Sequence, residues 1–123
     1  MDRGAVSELV RDTLAGYHYE PAPPGSASGV PWSAEKAYAC VEHLRGALVD
    51  PYLQRFELRE TYEQVGQQEP AFAEYWVVAE RGRYLVWYDP ATREFGLGLR
   101  IEGSATPTSM GVRGDLVGVF CAM

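Results

Sequence analysis

Cys40 and His43, three residues apart, are the first pair in this sequence with the types to do chemistry. On a helix they share a face and offer two metal ligands. A structural zinc site needs two more, and no spacing in the chain supplies them. As a thiol nucleophile the pair lacks an orienting third group and a turn-exposed sulfur. The second histidine, His18, lies in a proline-rich stretch, and no G-x-S-x-G elbow occurs to serve it. "GLGLRI" at 96–101 is glycine-rich, but Ile101 stands at the third glycine position and no helix follows, so it is not a dinucleotide fingerprint. Glu57, Glu60 and Glu63 are acids of a kind equally common on plain surfaces. Catalysis is therefore not the expectation, and no cofactor or metal is implied.

Charge narrows the partners. The 123 residues carry a net charge of −6. Residues 51–80 hold six acids (Glu57, Glu60, Glu63, Glu69, Glu74, Glu80) against Arg55 and Arg59. Such a surface is repelled by nucleic acid and by anionic membranes and attracts a basic partner. Arg81, Arg83, Tyr84, Trp87, Tyr88 and Arg93 interleave base and aromatic in the manner of a small nucleic-acid patch, which the surrounding acidity opposes. No apolar run approaches the ~20 residues that span a bilayer. The start, "MDRGAVSELVRDTL", is not a signal peptide, so a cytoplasmic protein is expected. Two cysteines make no disulfide framework; buried free thiols are expected, with a disulfide left open.

The elements that must position these residues come in two blocks. Val6, Leu9, Val10 and Leu14 recur at helical spacing over 3–15, with Asp2 as cap and Gly16 as stop. Residues 18–32 read as a long loop. Ser33 then caps a second helix carrying Ala37, Tyr38, Val41, Leu44, Ala47 and Leu48, ended by Asp50-Pro51. Strands are expected near 54–62, 73–80, 83–88 and 94–102. A second loop falls at 103–114, and a buried final strand in "DLVGVFCAM". Helices first and strands after mean one α+β domain over 1–123. Its two N-terminal helices pack on one face of an antiparallel, meander-like sheet of about five strands.

The densest stretch is "YWVVAERGRYLVWYDP", 75–90. Placing its turn at Arg81-Gly82 sets Trp76 opposite Trp87 and Tyr75 opposite Tyr88. Trp76, Val78, Leu85 and Trp87 then face the core. Tyr75, Tyr84 and Tyr88 share the other face, where their hydroxyls reach water. Asp89-Pro90-Ala91-Thr92 has the residues of a type I turn. Gly96 and Gly98 point opposite to Phe95, Leu97, Leu99 and Ile101, which leaves room for a neighbouring aromatic ring.

Together these features point to a non-catalytic protein-binding module, an acidic stoichiometric inhibitor or immunity-type protein. Size, charge and architecture are similar to those of bacterial toxin-immunity proteins, although no motif carries the likeness. The expected contact residues are Tyr75, Tyr84, Tyr88, Glu57, Glu60 and Glu63. The expected partner is another protein, a basic one being favoured. The alternative is a small-molecule binder or enzyme whose pocket, between helices and sheet, is walled by Trp32, Tyr38, Trp76 and Trp87. A third reading is an accessory subunit of a larger assembly.

Overall fold

The computed structural model describes residues 1–17, 34–59 and 71–122. The expected loop at 18–32, the Ser33 cap and the polar stretch after Arg59 lie outside them. Helix α1 (Arg3–Ala15) forms as its periodicity requires. Asp2 accepts from the Ala5 N–H at 2.8 Å, Gly16 ends the helix, and Val6, Val10 and Leu14 are buried. Helix α2 (Ala34–Ala47) buries Ala37, Val41 and Leu44. It stops before the expected Asp50-Pro51 boundary, because strand β1 (Leu48–Leu58) begins at once. Asp50 and Pro51 lie in an irregularity between Leu48 and Tyr52. Pro51 has no N–H to give a ladder, so it is tolerated where pairing lapses.

Strands β2 (Ala71–Arg81), β3 (Tyr84–Asp89), β4 (Glu94–Leu99) and β5 (Thr108–Gly114) follow in meander order. The α+β composition and the antiparallel meander are as expected. The sheet, however, does not stay open. It closes into a barrel through a short parallel pairing of β1 with β5, Glu57 with Thr108 and Leu58 with Ser109. The 103–114 stretch, expected to be loop, supplies β5. The final apolar run, expected to be a strand, is helix α3 (Leu116–Cys121), capped by the Asp115 carboxylate on the Gly118 N–H at 3.1 Å. A short run apolar on both parities suits a buried strand and a buried helix alike, and Asp115 as N-cap decides for the helix.

The β2–β3 hairpin turns at Gly82-Arg83, one residue later than Arg81-Gly82. Arg81 pairs with Tyr84, and Gly82 takes φ +59° at the first central position, as a two-residue hairpin with glycine first requires. The register slips again between Val77 and Ala79, so Val77 faces Trp87 and Trp76 faces Tyr88. The expected Trp76–Trp87 pair is therefore broken. The displaced turn changes partners but not faces; the bulge is what sends Trp87 into the barrel and Tyr88 to the helix side, each opposite to its expected face.

Two apolar clusters result, one on each side of the sheet. Phe56, Tyr75, Val77, Leu85 and Trp87 fill the barrel. Val78, Ala79, Val86, Tyr88, Phe95 and Leu97 face outward against Val6, Val10, Leu14, Val41, Leu44 and the apolar residues of α3. The two N-terminal helices lie against β1 and β2; α3 lies against β3, β4 and β5 and also touches α2. The helix-side cluster is tied by a disulfide between Cys40 on α2 and Cys121 on α3, with Cα atoms 6.2 Å apart. The expected free thiols are thus paired, although both cysteines do pack against apolar core. Closing a loop of 81 residues restricts the unfolded chain, worth about 4 kcal/mol in the chain-entropy picture.

Gly96 and Gly98 have the expected explanation. A Cβ at Gly96 would sit 1.9 Å from Trp87 Cζ2, and one at Gly98 2.6 Å from Phe56 Cε1. Phe56 belongs to β1, which does not pair with β4, so its ring reaches Gly98 from inside the barrel. Gly96→Ala is expected to cost about 3 kcal/mol by overpacking a fully buried indole. Adding Trp87→Leu to that variant should recover part of the loss. Denaturant midpoints of the two single variants and the double variant check this, and additivity of the two losses would contradict the contact.

Candidate protein-binding surface

With its interior packed, the barrel leaves its two ends and its uncovered outer wall for contact with other molecules. At one end Tyr52, Glu80 and Arg100 converge from β1, β2 and the residue after β4. The Tyr52 hydroxyl donates to Glu80 Oε1. Arg100 donates to the Tyr52 oxygen at 2.9 Å and to Glu80 Oε1 at 2.8 Å. Burial raises the Tyr52 pKa above the ordinary phenol value of 10.0, and the hydrogen bond to Glu80 and that carboxylate's charge add to it against the opposing Arg100 cation. A phenol held neutral in this way is a hydrogen-bond bridge between strands, not a nucleophile.

At the other end Arg113 of β5 donates to the Tyr75 hydroxyl at 2.9 Å. Its guanidinium lies 4.8 Å from the Trp87 ring centroid, with Asp89 at 4.0 Å and Glu94 at 3.9 Å. Tyr75 and Trp87 stack at 4.0 Å between centroids. The cation caps the aromatic stack and offsets the two carboxylates of the β3–β4 turn. Asp89 also shapes that turn, accepting from the Ala91 N–H at 2.9 Å. Deeper in, Trp87 Nε1 and Ser109 Oγ are buried with no hydrogen-bond partner among the described residues.

The three tyrosines expected on one exposed face do not share one. Tyr75 is 5% exposed inside the barrel, and Tyr88 is 4% exposed beneath the helices, 4.8 Å from the Phe95 ring. Only Tyr84, at the start of β3, reaches solvent, at 36%. The cause is the bulge at Val78, which puts Tyr75 and Tyr88 on opposite sides of the sheet; the displaced turn changes partners by two and leaves the faces as they were. Glu57 lies on the outer wall, partly buried and paired with Arg59 at 2.7 Å. Glu60 and Glu63 lie outside the described residues. The base–aromatic patch does not exist as one surface: Trp87 and Tyr88 are buried, and Arg93 sits in the β3–β4 turn, away from Arg81 and Arg83 in the β2–β3 turn. Cys40 is bonded to Cys121, so it is not available to form a ligand pair with His43.

The walls expected for a small-molecule pocket are also separated. Trp76 packs against the helix-side cluster, whereas Trp87 is inside the barrel. Tyr38 is 46% exposed, edge-on to Tyr17. Trp32 lies outside the described residues. A different hollow of about 380 Å³ opens between the end of α1, α2 and α3, bordered by Tyr17, Ala37, Val117 and Cys121.

What sequence reasoning missed is the outer wall formed by β1, β2 and β5. Leu53 is 50% exposed, Phe72 40%, Met110 41% and Val112 36%. Leu53 and Phe72 alternate with the inward Phe56 and Tyr75 sides of their strands. Arg55 lies over the Phe72 ring at 4.0 Å, and Glu57 and Glu74 stand beside them through the pairings Glu57–Phe72 and Arg55–Glu74. The signal was present in parity: Leu53 is out of phase with Phe56 and Leu58, and Phe72 with Tyr75. The expected strand limits, 54 and 73, excluded both residues.

The Tyr52 bridge makes a prediction with a definite sign. Because its folded pKa is raised, its contribution is complete below pH 10.0 and is lost as pH climbs through the folded value. Tyr52→Phe should lower stability by about 1 kcal/mol at neutral pH. The gap between wild type and variant should narrow in urea titrations run progressively above pH 10.0. No family model, no curated protein and no solved structure matches this chain.

Proposed function

We propose that this chain is a non-catalytic protein-binding module, an acidic inhibitor or immunity-type protein. Its contact surface in this reading is the outer wall of β1, β2 and β5. The observation that carries the reading is the exposure of Leu53 and Phe72 on neighbouring strands of a tightly packed barrel. Apolar side chains held out on a rigid frame are interface anchors, since they lose little conformational entropy on binding. Glu57 and Glu74 at their flanks, in a protein of net charge −6, favour a basic partner and speed its approach. Tyr84 is a peripheral contact at most in this arrangement, and Tyr75 and Tyr88 act only as supports for the frame.

The small-molecule reading rests on the hollow beside α3 instead, and a thermal shift from a metabolite set would favour it. A cytoplasmic location belongs to the same proposal as the binding role. It carries a consequence, since a reducing compartment holds cysteines as thiols.

The test uses the full chain as bait in extract of its host, with Leu53→Asp and Phe72→Asp beside wild type. Each variant first has its fold checked by circular dichroism. A specific partner should be retained by wild type, lose at least about tenfold in affinity to each variant, and weaken as salt rises. A partner held equally by wild type and both variants would overturn the assigned surface.

A further inference from the structure

Cys40 and Cys121 are the only cysteines of the chain, and the fold joins them across 81 residues. Two features separate this bond from an inert staple. Neither cysteine is fully buried, and both pack at the margin of the helix-side core. Cys121 also borders the hollow of about 380 Å³. The facing walls of that hollow are Ala37 on α2 and Val117, Gly118 and Cys121 on α3. The bond therefore fixes the separation of the two helices that border the hollow. The barrel's interior cluster contains no residue of α2 or α3, so its packing does not run through the bond.

We propose that the Cys40–Cys121 disulfide is a redox-responsive clamp on α3 and on the hollow beside it, opened by a dithiol reductant without unfolding the barrel. This goes beyond the protein-binding reading and does not depend on which outer surface a partner uses. In the opening step a thiolate of the reductant attacks one sulfur and forms a mixed disulfide, and the other cysteine leaves as thiolate. The second thiolate of the reductant then closes on the mixed disulfide and releases the first cysteine. Two electrons pass to the protein, each cysteine sulfur takes up a proton, and the reductant leaves as its own cyclic disulfide.

The experiment treats the oxidised full chain with dithiothreitol in the absence of denaturant. Thiols are counted by alkylation and mass spectrometry, and hydrogen exchange is followed in the same samples. Two new thiols are expected, with amide protection in α3 and the adjoining face of α2 falling at least about tenfold while β3 and β4 keep theirs. The Cys40→Ser/Cys121→Ser double variant should reproduce the reduced pattern; if it does not fold, reduction of the native chain still decides the matter. Three results would overturn the proposal: cysteines already free in the oxidised preparation, a bond reducible only in denaturant, or reduction that leaves α3 as protected as before.

Discussion

The lumen of this barrel is narrow, and two of its three buried rings fit only because β4 presents no side chains where they lie. Trp87 rests against Gly96 and Phe56 against Gly98, closer than any Cβ would allow. These contacts couple β1 and β3 to β4 through the interior. Backbone pairing closes the barrel with only a brief β1–β5 contact, so the packed rings do much of the work of keeping the wall shut. The charged groups at the two ends follow from the same arrangement. Tyr52, Glu80 and Arg100 bridge strands at one end, and Arg113 covers the Tyr75–Trp87 stack at the other.

The lumen is filled by Phe56, Tyr75, Val77, Leu85 and Trp87. The helix-facing side of the wall is covered by α1, α2 and α3, with the last pinned by the disulfide. The part of β1, β2 and β5 away from the helices keeps the exposed side chains of Leu53, Phe72, Met110 and Val112. Such side chains cost little to desolvate and are already ordered by the strands that carry them. In the proposed role the acidic balance of the chain would contribute range and rate to an encounter, and the apolar anchors its lifetime.

How much of this the sequence reveals depends on the length of each periodic signal. The first helix is legible because Val6, Val10 and Leu14 sustain one period and Asp2 and Gly16 mark its ends. The role of Gly96 and Gly98 is legible because two alternate glycines in a strand need a neighbour that fills their space. The hairpin faces are not, because both sides of the sheet are buried and apolar residues satisfy either register equally well. There the bulge at Val78 puts Trp87 inside the barrel and Tyr88 beneath the helices, while the one-residue difference in the turn, Gly82 first instead of second, changes only which residues pair. Residues 115–122 fail for a related reason, since six helical residues are too few for a period to declare itself. The exposed apolar wall is the hardest to see. An exposed Leu53 or Phe72 carries no local mark, and its meaning comes from strands brought alongside it by barrel closure.

The account turns on a filled barrel with its aromatics spent on packing. Its most direct test is a two-dimensional NMR measurement of contacts from the aromatic rings to the α-protons of Gly96 and Gly98. The account predicts cross-peaks from Phe56 to Gly98 and from Trp87 to Gly96, with both glycine α-protons shifted strongly upfield by the rings above them. Absent cross-peaks, unshifted glycine protons and a Trp87 fluorescence accessible to quencher would contradict it. They would return the aromatics of β2 and β3 to the surface as a binding site.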